Sequence, residues 1–397
     1  MYQIKTMNRI APVGLARLPA ETYTVGDGVE GENGILVRSA KLHDYPFPPS
    51  LWAIARAGAG TNNIPVEECA RQGIVVFNTP GANANAVKEL ALCALLLASR
   101  DITGGCAWVR RQAEEGADVA GAVEKGKAAF AGPELYRKTL GVMGLGAIGA
   151  LVANAALGLG MEVYGYDPYL SVASALRLSP HVRVASALPE LYRQADYLTI
   201  HIHCTPETTG FLNAEAIAAM KPGARVLNLA RGALVEDDAM LAALDSGRIA
   251  AYVTDFPTSR LVASPHVIAM PHLGASTPES EQNCAVMAAR ELRDYLENGN
   301  LHNSVNLPEA VMARSGVQRL CILHRNVPGM LARITTLLSQ DGVNVENLSN
   351  TSRGNYAYTL VDLGAAVEEP VLADIRALEQ VIRLRVLNGT PESRLPG

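Results

Sequence analysis

The chain has 397 residues, of which 49% are hydrophobic and 18% charged, and its formal net charge is −5. That is the composition of a globular protein with room for two or three domains and several cores. It excludes a basic surface for nucleic acid and a membrane span of about 20 apolar residues. Six scattered cysteines (Cys69, Cys93, Cys106, Cys204, Cys284 and Cys321) form no CxxC pair, so neither a disulfide frame nor a metal site is expected. The N-terminus, MYQIKTMNRIAP, lacks the apolar centre of a signal peptide, and a cytoplasmic location is expected.

Residues 1–100 repeat a strand-then-helix rhythm. GILVRSA (34–40), LWAIARAGAG (51–60) and GIVVFNTP (73–80) are short apolar runs ending in small or turn residues. NNIPVEECARQG reads as a helix closed by Gly73, and ANAVKELALCALLLASR (84–100) as a long buried helix. Alternation of this kind predicts a parallel sheet, whose ligands bind beyond the carboxyl ends of its strands. Arg38, Ser39, Lys41, Arg56, Ala59 and Gly60 all fall at such ends. As solvated charges the three basic residues need no partner, but the shared edge points to anion binding. Residues 101–138 are polar, glycine-rich and weakly helical, a crossing into the next domain.

Thr139–Asp167 carries the most specific signal. A buried strand is followed by Gly144, Gly146 and Gly149, then by an alanine-rich helix and a second strand ending at Asp167. In a dinucleotide site the first glycine makes the tight turn, the second admits the pyrophosphate, and the third lets helix and strand pack. The helix N-terminus offers N–H groups and a positive dipole end to the phosphates, and the acid accepts ribose hydroxyls, which selects NAD. Strands follow at 197–202, 225–230, 249–255 and 267–272, and a helix begins at Ser276 or Thr277 and ends at Asn298-Gly299. Beyond a linker at 301–316, the tail reads strand, helix, two strands, helix, strand. That βαββαβ order makes a small ferredoxin-like domain.

Three strand-end residues have the right chemistry for a reaction. Arg231 in NLARGALVEDD can clamp a carboxylate through two hydrogen bonds, and His272 in MPHLGAST is an acid–base group on a tight turn. Asp255 closes the strand before Phe256-Pro257. Any one of these alone is more often a surface ion pair or a structural side chain. His201 and His203 are read as structural.

Taken together, the stretches RAGAGTNNIP, GIVVFNTPGANANAVKELALCALLLASRDI, GVMGLGAIG with Asp167, NLARGALVED, YVTDFP and MPHLGASTPESEQNCA resemble the D-isomer-specific 2-hydroxyacid dehydrogenase family, in its branch that ends in an ACT domain. The resemblance implies two doubly wound, Rossmann-like α/β domains with NAD and substrate in the cleft between them. It places a discontinuous substrate domain at 1–99 and 290–312, an NAD domain at 100–289, and an ACT regulatory domain at 317–397. It implies cofactor contacts from Gly144, Leu145, Gly146, Ala147, Ile148, Gly149, Asp167, Thr205, Ala230, Asp255, His272 and Gly274. The substrate falls to Arg38, Ser39, Lys41, Arg56, Ala59, Gly60 and Arg231, with Arg231 and His272 catalytic.

The activity implied is NAD-dependent oxidation of 3-phospho-D-glycerate to 3-phosphooxypyruvate, which opens serine synthesis. A phosphorylated hydroxy acid is then the small-molecule partner, in a homodimer or homotetramer. L-Serine is the implied feedback effector, held by residues matching His324, Asn326 and Asn344 across a domain interface. Two alternatives remain: a reductase of glyoxylate, hydroxypyruvate or 2-oxoglutarate, and an NAD(H)-binding regulatory protein. The chain also departs from the family pattern. The family sets a glutamate a few residues after the DFP turn, paired with the histidine, whereas here Ser259 or Arg260 stands in its place. Reduced but surviving activity is expected, with Asp255 as substitute partner if its side chain turns inward.

Overall fold

A computed structural model describes residues 1–389, so the last stretch of the expected ACT segment, 390–397, lies outside the described residues. The chain separates into two compact units, one formed by Met1–Ala82 with the chain from Glu281 onward, the other by Asn83–Ser280.

The first unit begins with a five-stranded parallel sheet of β1 (Tyr2–Met7), β2 (Tyr23–Gly26), β3 (Gly34–Val37), β4 (Ala53–Arg56) and β5 (Val75–Phe77). Their order, β2-β1-β3-β4-β5, is the flavodoxin-like one. β3, β4 and β5 are buried along nearly their whole length, which is why they read as continuous apolar runs. The first two strands escape that reading because only Ile4 of β1 and Tyr23 of β2 are fully buried. The helix Val66–Arg71 stops where Gly73 takes a φ of +73°, as its sequence predicts.

The second unit holds β6 (Thr139–Met143), β7 (Glu162–Tyr166), β8 (Arg183–Val184), β9 (Tyr197–Ile200), β10 (Ala224–Asn228), β11 (Ile249–Thr254) and β12 (Val267–Ala269). Every pairing is parallel, in the order β12-β11-β10-β9-β6-β7-β8. This is the dinucleotide-fold order with one strand added, and its order reverses between β6 and β9. The helix Ala84–Ser99 buries eight of its residues in this unit. The segment read as weakly helical forms two full helices, Ile102–Glu114 and Val119–Gly126, with no residue buried in either.

In the first unit, β13 (Gln318–Arg325), β14 (Val345–Arg353), β15 (Tyr356–Leu363) and β16 (Val381–Asn388) form an antiparallel sheet in the order β14-β15-β13-β16. Leu320, Ile322, Val361 and Leu363 pack on the helices Met330–Gln340 and Glu369–Ala377. The alternate residues Cys321, Leu323, Tyr358 and Leu360 enter the same core as Leu36, Ala55 and Leu292. The small domain therefore shares its second face with the first sheet. Arg319 clamps this junction: fully buried, it pairs with Asp362 at 2.5 Å and donates to the carbonyls of Asn298, Met312 and Ala313. Arg385 donates to the carbonyls of Tyr295 and Leu296 and lies against the Trp52 and Tyr295 rings. Both cations thus sit at the C-terminus of the helix Pro278–Asn298, where the dipole favours positive charge.

Candidate active site

The loop after β6 is built as the three glycines predict. Gly144 has a φ of +88°, and a Cβ there would meet the His201 carbonyl. A Cβ on Gly149 would overlap the Gly144 carbonyl, so this glycine sets the close approach of helix Ala147–Gly158 to β6. Around Gly146 nothing lies within 4 Å of a Cβ, which leaves room in front of the helix N-terminus for a phosphate. Leu145, Ala147 and Ile148 complete the loop and the first turn. Asp167 accepts from the Leu145 and Tyr169 amides, both at 2.9 Å, and so braces the loop as well as offering a carboxylate at the end of β7. Thr205 lies in the turn after β9, the strand on the other side of the order reversal, and its amide donates to Thr208 Oγ1. An open glycine, a free helix N-terminus and a terminal acid fit a dinucleotide.

Beyond β10, β11 and β12 a second cluster forms. Arg231 is exposed on extended backbone, with its carbonyl held by Nδ2 of the fully buried Asn228 at 2.9 Å. Its guanidinium donates to the Ala230 carbonyl and lies 5.9 Å from the centre of the Phe256 ring. On Phe256 also packs the exposed His272 imidazole, with ring centroids 4.6 Å apart. One aromatic plate therefore spaces the arginine and the histidine. The cluster needs Asn228 and Phe256, neither of which sequence reading singled out, although both sit inside its motifs.

Asp255 has turned inward. It is 1% exposed, no side chain donates to its carboxylate, whose nearest donors are backbone amides, that of Gly274 among them, and a Cβ on Gly274 would touch Oδ2 at 3.5 Å. Burial raises its pKa above the ordinary aspartate value. The charges of His272 and Arg231 and the Gly274 amide pull the other way. A buried acid without a side-chain partner, coupled to both Arg231 and His272, makes this cluster the candidate site. The place of the family glutamate is used structurally instead. Thr258 caps the helix Ser259–Val262, and Arg260 pairs with Asp238. His201 is neutral: burial lowers its pKa to about 4, and Nε2 lies 2.9 Å from Thr199 Oγ1. His203 is exposed.

In the first unit, the turn after β3 is organised by Asn8, whose Oδ1 accepts from the Ser39 and Ala40 amides. Asn8 has a φ of +71°, a conformation asparagine tolerates, and sequence reading passed it by. Arg56 Nε donates to the Arg38 carbonyl, and its guanidinium lies so close to Gly58 that a Cβ there would overlap it. Arg38 pairs with Glu281 at 2.5 Å, and Lys41 is exposed. Ala59 is fixed through its carbonyl by Asn78 Nδ2, and Gly60 follows it.

In the small domain, His324 is 2% exposed, with Nδ1 2.8 Å from the Arg325 carbonyl and Nε2 2.9 Å from Thr359 Oγ1. Asn326 pairs with the backbone of Asn355, while the Asn344 carbonyl accepts from Gly364. They lie beyond opposite ends of β15, beside Asn355 and Gly364, nine residues or roughly 30 Å of strand apart. One small domain cannot close His324, Asn326 and Asn344 around one ligand.

Comparison with known proteins places this geometry. Residues 92–274 match the NAD-binding domain model of the D-isomer specific 2-hydroxyacid dehydrogenases, and residues 320–383 match an AHAS small subunit-like ACT domain. A D-3-phosphoglycerate dehydrogenase of Haemophilus influenzae is 31% identical over 351 residues, 85% of this chain and 82% of the relative. The chain belongs to the D-isomer specific 2-hydroxyacid dehydrogenase family. A D-3-phosphoglycerate dehydrogenase of Synechocystis is 38% identical over 264 residues, 65% of this chain but only 45% of that protein. The chain thus spans less than half the length of that relative. Among solved structures, the NAD+-bound 3-phosphoglycerate dehydrogenase of Entamoeba histolytica is 25% identical, with a TM-score of 0.60 over 77% of this chain and 98% of that one. NAD is accordingly the cofactor of this family's second unit. Among the described residues no single helix is long and apolar enough to cross a membrane, and no group of three or more His, Cys, Asp or Glu residues converges on a metal position.

Proposed function

We propose that this chain oxidises 3-phospho-D-glycerate to 3-phosphooxypyruvate, with the cluster of Arg231, Asp255 and His272 as its chemical centre. The observation that carries the reading is the inward Asp255 carboxylate, which has no side-chain partner and is coupled to both other residues. Gly144–Gly149, Asp167, Thr205, Ala230 and Gly274 would hold NAD, which when bound would supply the acceptor for the C2 hydride. His272 removes the C2 hydroxyl proton as the carbonyl forms and returns it in reduction. Arg231 clamps the substrate carboxylate with two N–H groups and polarises C2. Asp255 stabilises the imidazolium and fixes the ring, the part the family gives to a glutamate.

Arg38, Lys41 and Arg56 take up the phosphate, with Ser39 and the Ala59–Gly60 amides completing the anion contacts in a substrate domain built on the sheet of β1 to β5. The Arg38–Glu281 pair favours the other reading, an unphosphorylated 2-oxoacid as substrate. Its side chains are 42% exposed, however, and an exposed pair is worth at most about 1 kcal/mol, which a phosphate readily outweighs. For regulation, L-serine bound by Asn326 of one chain and Asn344 of another, beside His324, fits the separation of these residues and calls for at least a dimer. Unpaired cysteines suit a cytoplasmic setting. The test is turnover of 3-phosphooxypyruvate with NADH, against hydroxypyruvate and glyoxylate and with serine added or omitted. Preference for the unphosphorylated acids defeats the phosphate assignment, and no turnover at all defeats the enzyme reading.

A further inference from the structure

The helix Pro278–Asn298 buries one side in the first unit's core and turns another toward a cavity of about 800 Å³, a volume typical of small-molecule sites. In its lining is Glu291, which is 6% exposed. Oε1 accepts from Asn303 Nδ2 at 2.6 Å, but Oε2 is buried with no hydrogen-bond partner at all. The next acid along, Asp294, makes the contrast plain. It accepts from Asn298 and Asn300 and lies 3.2 Å from His302 Nε2. A buried acceptor left empty in a polar cavity is costly unless something arrives to fill it.

Two cations complete the lining, Arg17 beyond the first helix and Arg290 one turn from Asp294, and neither forms an ion pair among the described residues. Between them Val13, Val286 and Met287 supply apolar wall. We infer that this cavity binds a small zwitterion, a free amino acid, with its ammonium group paired with the Glu291 carboxylate and its carboxylate on the guanidinium groups of Arg290 and Arg17. The acid, the two bases and the apolar wall match the three parts of such a ligand. Asn303 holds the carboxyl in place through Oε1, from a left-handed backbone conformation (φ +53°) that asparagine tolerates.

The charge balance follows. Burial raises the Glu291 carboxyl to about 8, opposed only by the Asn303 hydrogen bond. The charged or titratable groups sharing the cavity are Arg17, Arg290, Asp294 and His302. At pH 7 the empty site therefore holds a protonated acid, and binding an ammonium group ionises it, so about one proton leaves for each ligand bound.

Calorimetric titration of the full chain with glycine, L-alanine, L-aspartate and L-lysine, in buffers of different ionisation enthalpy, tests this. At least one amino acid should bind with about one proton released. Glu291→Gln should weaken that binding by about tenfold or more and abolish the proton release. Arg290→Met, on the exposed rim, should weaken binding without altering proton release. The inference is overturned if no amino acid binds. It is also overturned if binding survives both Glu291→Gln and Arg290→Met. None of these outcomes bears on the dehydrogenase reading.

Discussion

Two buried aspartates divide this protein's polar interior into opposite kinds. Asp362, in the small domain, has every demand met: Arg319 takes both its oxygens, the Ser315 amide and hydroxyl take one further bond each, and the guanidinium's other donors go to backbone carbonyls. Asp255, at the end of β11, is as deeply buried and has no side-chain partner for either oxygen. The first acid is a joint between the small domain and the end of a helix. The second is held ready for His272, Arg231 and whatever they bind. Satisfaction separates a structural charge from a functional one here, and burial alone does not.

The predictions sharpen that contrast. The largest effect belongs to the base itself: His272→Ala should lower kcat by about 10²–10⁴-fold while leaving NAD affinity, read by fluorescence titration, nearly unchanged. Next comes the joint. Asp362→Ala strands a buried guanidinium and should cost about 3–5 kcal/mol in chemical denaturation. In the surviving native fraction KM should be unaltered, and a changed KM would make Asp362 part of the site. Asp255→Asn should do the opposite to stability. A carboxyl whose pKa is raised in the fold binds protons more tightly there than in the unfolded chain. Its effect on stability is therefore most favourable at low pH and is lost as pH rises from the ordinary aspartate value through the raised one. The asparagine variant should lose that slope and melt no lower than wild type at pH 7.

The glycine loop supplies a smaller effect. Gly146→Ala should fold normally, since its Cβ meets nothing, yet weaken NAD several-fold by intruding where the pyrophosphate lies. Gly149→Ala should destabilise the fold instead, because its Cβ overlaps the Gly144 carbonyl. Equal melting temperatures for the two variants would break this distinction.

What was readable in the sequence follows from how each element earns its burial. β3 to β7 and β9 to β11 are apolar runs with glycine or proline punctuation, and the tail alternates apolar faces, so elements and order were legible. β1 and β2 were not, because Lys5, Thr6 and Thr24 interrupt any apolar pattern. The loop of Gly144–Gly149 was legible because each glycine answers a steric demand of its own. Arg231 and His272 were legible only as members of motifs. The roles of Asn228, Asn8 and the Phe256 plate depend on contacts that no local pattern encodes. So does the direction of the Asp255 side chain, on which the catalytic assignment turns.

That assignment is tested most directly by the pH dependence of kcat/KM for wild type and Asp255→Asn, measured in both directions with NAD affinity followed in parallel. With the carboxylate as partner to His272, the variant should lose turnover by roughly tenfold or more, and the acid limb of its oxidation profile should move to lower pH as the imidazolium loses its stabilising charge. A variant whose profile superimposes on that of wild type at every pH would contradict the account and return the histidine to acting alone.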